Sequence, residues 1–278
     1  MDYLNHNGFI RPLINPLFGP DNRVFRYGDG LFESIRIKDG KACFLERHLR
    51  RLKKGMHLLG YDIPLHYNAE FMQREIDRMT GGKGHHRLRL TVYRQDGGYY
   101  APQSDESVYL MQLHPLEQAD FRLHDQGLSL GVYDEIPLPM HPLSNLKSCN
   151  SLPYVLAGRF LKKQNFDECL LLNQDGRVAE CSIGNVFMIK EQQLITPPLS
   201  EGCIEGVIRG LILEIAEQTE LEVWQRAISL EELTSATEIG VTNAIRGIRW
   251  VERWDARRYQ NQYCRRLLAQ LNELSLYN

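Results

Sequence analysis

The chain has 278 residues, of which 33 are basic and 35 acidic, so its formal net charge is −2. Because there is no basic tail and no long run of one sign, nothing in this balance indicates an electrostatic surface for nucleic acid or anionic lipid. No apolar run approaches the roughly 18 residues of a membrane span, and the segment MDYLNHNGFI lacks the pattern of a secretion signal. We expect a cytoplasmic protein that binds a small molecule.

The cysteines and histidines predict neither a disulfide framework nor a metal site. Six cysteines are scattered along the chain without a C-x-x-C pair or a cluster at zinc spacing. We expect them to be reduced thiols. The adjacent pair His85 and His86 lacks a third ligand, so no metal is predicted there.

Residues 1–118 predict a small α/β domain built around an antiparallel sheet. The runs LFESIRI and ACFL are joined by KDG, a hairpin signal, since Asp-Gly favours the positive φ angles of a tight turn. The basic segment ERHLRRLKKGMHLLGY carries one apolar stripe at helical spacing. NAEFMQREIDRMT predicts a second helix, and HRLRLTVYR and SVYLMQLHPL predict two further strands.

Residues 119–278 predict a second, larger domain, entered through the aperiodic linker EQADFRLHDQG. A strand (LSLGVYDE) and a helix (LPYVLAGRFLKKQ) are followed by several strands from ECLLL to LITPP. The remainder predicts an apolar helix (EGVIRGLILEIAEQT), a strand (EVWQRAIS), a short helix (LEELTSA) and a closing helix (YQNQYCRRLLAQLNEL). The predicted fold class is therefore mixed α/β, in two domains, with Lys147 near the front of the second.

Lys147 is the first candidate for chemistry. Turn and cap residues precede it, and the small residues Ser148, Cys149 and Asn150 follow it. A primary amine on a flexible stem among small residues suits Schiff-base chemistry, although a surface lysine remains the alternative. A pyridoxal phosphate needs, in addition, a carboxylate for its ring nitrogen and a cradle for its phosphate.

Candidates exist for both additional needs. Glu180 interrupts a strand of apolar and small residues, and a buried carboxylate there is costly unless it is paired with a cation. The alternative is an exposed glutamate at a strand end. A helix beginning at Val207 and Ile208 could bind phosphate through free backbone N–H groups, and the junction at Asn243 and Ala244 offers further donors.

Five motifs that occur in order from about residue 23 to residue 250 resemble the class IV aminotransferase family. They are RYGDGLFESIRIKDGKACFLERHLRRL, LKSCNSL, DGRVAECSIGNVF, EGVIRG and TNAIRGI. This family comprises the fold-type-IV pyridoxal-phosphate enzymes, among them branched-chain and D-amino-acid aminotransferases and 4-amino-4-deoxychorismate lyase. The resemblance implies a two-domain fold like that of D-amino-acid aminotransferase and a homodimer with the cofactor between the domains.

Individual roles follow from this resemblance alone. It implies Lys147 as the Schiff-base lysine, Glu180 as the partner of the pyridine nitrogen and Arg51 as the phosphate-binding arginine. The phosphate cup is completed by backbone groups of four residues: Val207, Ile208, Asn243 and Ala244.

The substrate-side candidates are Tyr27, Phe32, Arg36, Arg94 and Tyr99. Arg94 is preferred as the carboxylate binder because a bidentate guanidinium fork suits a planar anion, although it could instead anchor its loop. Arg36 shares a strand face with Phe32 and Ser34, so it could point into the site or be an ordinary strand arginine.

The motifs divide between the branches of the family. Asn150, three residues after Lys147, resembles the D-amino-acid aminotransferase and lyase pattern, but the loop RQDGGYYAP lacks the Arg-x-His of the D-specific enzymes. TNAIRGI and AEC favour the lyases, whereas Glu33 stands where transaminases commonly carry glutamate. We expect amino-group transfer between an amino acid and a 2-oxo acid, with the lyase as the alternative. A non-catalytic scaffold is a third reading, disfavoured because Lys147, Glu180 and Arg51 are all present.

Overall fold

The computed structural model describes residues 3–13 and 18–275, and the chain divides into two compact units. The first unit ends at Asp120 but also includes Lys147–Asn150; the second comprises Phe121–Leu146 and resumes at Ser151. This division differs from the prediction, which placed Lys147 in the C-terminal domain. The reason is a long-range strand pairing, described below with the site.

The first unit contains a six-stranded antiparallel sheet in the order β2-β1-β6-β5-β3-β4. Its hairpin between β3 and β4 turns at Asp39 (φ 49°) and Gly40 (φ 78°), as the Asp-Gly signal predicted. Its strands are β1 (Tyr3–His6), β2 (Phe9–Pro12), β3 (Gly30–Lys38), β4 (Lys41–Ala42), β5 (His86–Arg94) and β6 (Ser107–Pro115). Its helices are α1 (Arg23–Tyr27), α2 (Leu45–Leu58) and α3 (Ala69–Thr80).

The two faces of this sheet have different characters. Ile35 on β3 and Leu88 and Leu90 on β5 are fully buried on the face that α2 and α3 cover. Because side chains alternate along a strand, Phe32, Ser34 and Arg36 point to the opposite face. The candidate residues of the first unit are divided between these two faces.

The second unit contains a nine-stranded mixed sheet in the order β12-β11-β10-β13-β14-β7-β8-β9, with β15 paired to β14. Its strands are β7 (Leu128–Leu138), β8 (Glu168–Asn173), β9 (Val178–Cys181), β10 (Asn185–Lys190), β11 (Gln193–Thr196), β12 (Glu222–Gln225), β13 (Glu238–Asn243), β14 (Gly247–Trp254) and β15 (Arg257–Arg258). Its helices are α4 (Leu152–Gln164), α5 (Val207–Ala216), α6 (Leu230–Leu233) and α7 (Gln262–Leu274), with 3-10 turns at Pro142–Asn145 and Leu199–Glu201.

The strands of the second unit bury long apolar runs. Every residue of β8 and β9 is buried, which includes the polar residues Glu168 and Glu180. The helix α4 has the bounds that its sequence predicted, because Pro153 in the first turn fixes where the helix starts. No helix in the described part of the chain is long and apolar enough to cross a membrane. All six cysteines are free thiols, as expected.

Candidate active site

Lys147 lies beside the first residues of β3. Its carbonyl accepts a hydrogen bond of 2.9 Å from the backbone N–H of Phe32, and the N–H of Cys149 donates to the carbonyl of Gly30 at 2.8 Å. An antiparallel bridge joins Leu31 and Ser148. The segment therefore continues the first unit's sheet by a short strand-like pairing. The Lys147 ammonium lies 4.6 Å from the centre of the Phe32 ring.

Arg51 is held by a buried carboxylate. Its Nε donates to Oε1 of Glu33 at 2.8 Å, and its second amino group bonds Oε2. The Nδ1 of His48, one helical turn earlier on α2, contacts the same oxygen at 2.7 Å. Burial alone would raise the pKa of Glu33, but the charge of Arg51 and the hydrogen bonds from His48 and Arg51 lower it to about 2. Glu33 is therefore ionised and fixes the orientation of the arginine.

His48 was not singled out by sequence reasoning. Burial lowers the pKa of His48, opposed by Glu33 and assisted by Arg51 and Lys147, so the imidazole is neutral at pH 7. Its Nε2 is buried without a hydrogen-bond partner among the described residues. The sequence signal that could have identified His48 is its spacing: it lies three residues before Arg51 on α2, and residues three apart on a helix share a face.

Glu180 is a buried carboxylate surrounded by donors within the second unit. It is only 2% exposed. Oε1 accepts a hydrogen bond of 2.6 Å from the hydroxyl of Tyr154, and Oε2 accepts from the N–H of Ile204 at 3.1 Å and from the Asn185 amide at 3.3 Å. These bonds orient the carboxylate and offset part of the cost of burying its charge.

The helix α5 begins without a side-chain cap. Its first backbone N–H groups, at Val207 and Ile208, have no acceptor among the described residues. The preceding Gly206 is required by space, because an added Cβ would lie 1.9 Å from Oδ1 of Asn185. Uncapped N–H groups at a helix start, together with a glycine that leaves room, form a cradle suited to an anion.

Asn243 and Ala244 follow β13 next to this cradle. The Asn243 side chain accepts hydrogen bonds from the N–H groups of Ile245 and Arg246, at 3.0 and 2.9 Å, so it shapes the turn after β13. Asn185 links Glu180 to the start of α5 and to the end of β13. It pairs with Thr242 across the sheet, its amide donates to Glu180, and its Oδ1 lies close to Gly206. The second unit thus brings together Glu180 and the four predicted cup residues.

Arg94, the preferred carboxylate binder, has a structural role instead. Its guanidinium binds Asp29 at 3.0 Å, Asp105, and the carbonyls of Leu59 and Gly60 at 2.7 and 3.3 Å. The alternation of β5 also places Arg94 on the face opposite to Phe32, which does not favour the predicted role. A guanidinium with this many protein partners anchors its loop.

Arg36 is also used by the chain itself. It lies on the face of Phe32, as expected, but its guanidinium binds the backbone carbonyls of residues 118–120. It is 5% exposed. These contacts hold residues 118–120, at the end of the first unit, against Arg36. They support a structural role of Arg36 rather than substrate binding.

The aromatic candidates lie in different settings. Phe32 is half-buried beside Lys147, and Tyr27 is half-buried with its ring 5.4 Å from that of Tyr100. Tyr99 is 81% exposed in the single chain. Of the three, Phe32 is the one that contacts the proposed reactive lysine.

Arg89 is a further candidate for the substrate side, and sequence reasoning did not identify it. Its guanidinium carbon lies 3.8 Å from the centre of the Phe32 ring, on the sheet face that carries Phe32. It is half-buried, burial lowers its pKa, and its guanidinium has no hydrogen bond or ion pair among the described residues. The alternation of side chains along β5 could have identified Arg89, because Arg89 and Phe32 point to the same face of the sheet. A desolvated guanidinium near Lys147 is suited to binding an anion.

This fold is that of the fold-type-IV aminotransferases. The branched-chain aminotransferase of Thermoproteus uzoniensis superposes with a TM-score of 0.86, covering 99% of this chain and 95% of that chain at 22% identity. The 4-amino-4-deoxychorismate lyase of Pseudomonas aeruginosa superposes with a TM-score of 0.84, covering 97% of this chain and 98% of that chain at 30% identity.

Residues 30–254 match the family model described as amino-transferase class IV, so the chain belongs to that family and is an enzyme. Its sequence is 29% identical over 243 residues to an aminodeoxychorismate lyase of Bacillus subtilis, covering 86% of this chain and 82% of that protein. The predicted family, fold class and enzymatic nature are confirmed. The family depends on pyridoxal phosphate.

Proposed function

We propose that the protein is a pyridoxal-phosphate-dependent aminotransferase that moves an amino group between an amino acid and a 2-oxo acid. The observation that carries the cofactor assignment is the geometry of Glu180, a buried carboxylate oriented by donors to both oxygens. A protonated ring nitrogen supplies the opposite charge that such a carboxylate requires. The cradle at Gly206, Val207 and Ile208 fits the phosphate of the same molecule.

Different residues of this chain would hold the cofactor and move the proton. Bound pyridoxal phosphate supplies an electron sink that stabilises negative charge at the substrate carbon. Lys147 would tether it through its aldehyde carbon and, once released by the substrate amine, carry a proton to and from the substrate. Arg51, fixed by Glu33, would neutralise phosphate charge, and the backbone N–H groups at the start of α5 would donate to phosphate oxygens. Glu180 would hold the proton on the ring nitrogen.

Arg89 would bind a substrate carboxylate. It replaces Arg94 and Arg36 in this role because its guanidinium is not engaged by other groups of the described chain and lies against the Phe32 ring near Lys147. A planar guanidinium binds a carboxylate through two parallel hydrogen bonds. The substrates would therefore be small anionic molecules, as amino acids and 2-oxo acids are.

A homodimer remains a prediction drawn from the family, and a cytoplasmic location remains a prediction drawn from the sequence. Two neighbouring aromatic residues, Tyr99 and Tyr100, are 81% and 89% exposed, and Phe25 is 82% exposed. Exposed aromatic residues are enriched where proteins associate. Sedimentation equilibrium on the purified protein tests this point, and a monomer at micromolar concentration would contradict it.

A second candidate is 4-amino-4-deoxychorismate lyase. The observation that favours it is that relatives at 29% and 30% identity carry this name. Such an enzyme eliminates pyruvate from a bulky cyclic dicarboxylate, which requires more than one cationic anchor. Glu33 and its contacts with Arg51 favour the aminotransferase, since this glutamate resembles that of the transaminase branch.

A half-reaction screen distinguishes the two candidates. The protein loaded with pyridoxal phosphate is mixed with single L- and D-amino acids, without any 2-oxo acid, and the absorption spectrum is recorded. We expect conversion of the visible band to that of the pyridoxamine form with at least one amino acid, which also reveals the substrate's configuration. A heat-inactivated sample is the control.

The other outcomes are equally informative. If no amino acid converts the cofactor while aminodeoxychorismate yields pyruvate and 4-aminobenzoate, the protein is the lyase. If the purified protein takes up no pyridoxal phosphate and remains colourless, the cofactor assignment fails and the non-catalytic scaffold is left.

A further inference from the structure

The hydroxyl of Tyr154 makes the shortest of the hydrogen bonds described above to Glu180. Tyr154 lies in the first turn of α4 and donates to Oε1 of Glu180 at 2.6 Å. Burial and the adjacent Glu180 carboxylate raise the pKa of Tyr154 far above its ordinary value. The hydroxyl therefore remains protonated, and remains a donor, throughout the neutral pH range.

The two oxygens of Glu180 are served by different parts of the chain. Oε2 is bound by the N–H of Ile204 and the amide of Asn185, which belong to the α5 side of the site. Oε1 is bound by Tyr154 from α4. Contacts to both oxygens restrict rotation of the carboxylate plane, and the Tyr154 hydroxyl contributes such a contact to Oε1.

Packing fixes the ring of Tyr154 independently of its hydroxyl. The ring lies against an apolar cluster that includes Tyr133, Ala157 and Ala179. Ala179 immediately precedes Glu180 on β9, so one cluster supports both partners of the hydrogen bond. Phenylalanine fills nearly the same volume as tyrosine, and its substitution for Tyr154 would therefore remove the hydrogen bond with little change in packing.

We propose that Tyr154 is a positioning residue that aims the Glu180 carboxylate at the ring nitrogen of pyridoxal phosphate and limits its basicity. This inference rests on the proposed function. A donor to one carboxylate oxygen withdraws charge from the group, which leaves the proton on the ring nitrogen. Without the donor, Glu180 becomes more basic and less ordered, and the proton shifts toward the carboxylate.

The test compares wild-type protein with Tyr154→Phe and with Tyr133→Phe as the matched control. Tyr133 is a buried tyrosine of the same cluster, and its hydroxyl is not among the donors to Glu180. Each protein is loaded with pyridoxal phosphate labelled with 15N in the ring. The ring-nitrogen chemical shift is recorded by NMR, and the dissociation constant is measured by equilibrium dialysis.

For Tyr154→Phe we expect the nitrogen signal to move toward the unprotonated position and the dissociation constant to rise about tenfold, the effect of losing one charge-assisted hydrogen bond. Tyr133→Phe should match the wild type in both measurements. If Tyr154→Phe does not fold, 3-fluorotyrosine at position 154 replaces it. As a stronger donor of similar shape, it should move the signal further toward the protonated position.

Three results would overturn the proposal. The first is a Tyr154→Phe protein with wild-type shift and affinity. The second is an equal effect of both substitutions, which would indicate packing alone. The third is an unmoved signal with 3-fluorotyrosine. A wild-type protein that takes up no pyridoxal phosphate is a different result, because it removes the proposed function and the role of Tyr154 together.

Discussion

Arg51 donates from Nε to Oε1 of Glu33 across 2.8 Å, and this carboxylate is almost completely buried. The pair converts a flexible side chain into a fixed charge, since the guanidinium can move only if the buried carboxylate loses its partner. We therefore expect that replacing either residue lowers stability and weakens the proposed phosphate binding.

Lowering the pH should reveal how much ionised Glu33 contributes to the free energy of unfolding. Its pKa in the folded protein is about 2, below that of an exposed glutamate, so its stabilising contribution is present above about pH 4.5 and is lost as the pH falls toward 2. We expect wild-type protein to lose about 3 kcal/mol of unfolding free energy across this range from this group. Urea unfolding at several pH values measures it. Glu33→Gln should lack this component, and an unchanged pH profile in that variant would refute the assignment.

Lys147→Ala should abolish multiple turnover while leaving the fold intact. Borohydride treatment of wild-type protein should attach the cofactor covalently at Lys147, as peptide mass mapping would show, and no such adduct should form in the variant. Lys163→Ala, at an exposed position in the last turn of α4, is the control. Retention of turnover by Lys147→Ala without added amine would assign the chemistry elsewhere.

Arg89→Gln should weaken substrate binding and spare the cofactor. Loss of a guanidinium–carboxylate interaction typically costs about 2 kcal/mol, so we expect KM for the amino acid to rise about thirtyfold. The dissociation constant of pyridoxal phosphate should stay within twofold of wild type. Arg87→Gln, an exposed arginine two residues earlier on the same strand face, is the matched control. Equal effects of both substitutions would indicate a general electrostatic contribution instead of a specific contact.

Arg94→Gln should act on stability rather than on substrate affinity. The substitution takes one partner from Asp29, which Arg23 and Tyr61 still bind. It also removes the donor to the carbonyls of Leu59 and Gly60, for a total cost of about 3 kcal/mol. Thermal and urea unfolding measure this loss, and KM of the folded fraction should be unchanged. A large rise in KM with normal stability would restore Arg94 as a substrate residue.

Gly206→Ala should weaken cofactor binding through Asn185. The new methyl would lie 1.9 Å from Oδ1 of Asn185, which must move and release its contact with Glu180. We expect a stability loss of about 2 kcal/mol and weaker pyridoxal-phosphate binding. Gly210→Ala, on the same helix with no atom within 4 Å of the added Cβ, should be neutral or stabilising. Equal stability and equal pyridoxal-phosphate affinity of the two variants would contradict the proposed anion cradle at the start of α5.

The sequence predicted those features that depend on neighbouring residues. Strand β5 and helix α4 have the predicted bounds, since alternation and Pro153 are local signals. The residues around Lys147 and Glu180 were found because their motifs are compact. Arg94 was chosen for its position at a loop, and Arg89 was not considered, although the alternation of β5 places Arg89 on the face of Phe32. Tyr154 was missed because its contact with Glu180 spans 26 positions along the chain and depends on the packing of α4.

The pairing of residues 147–149 with β3 has a consequence for how the protein is made. Among the described residues, the partners of the Phe32 backbone N–H and of the Gly30 carbonyl come from this later segment. During synthesis, the first residues of β3 therefore lack these hydrogen-bond partners until the chain has grown past residue 149. We expect a fragment that ends at Asp120 to be a poor autonomous folder, because domains fold as units when their contacts are contiguous and here they are not.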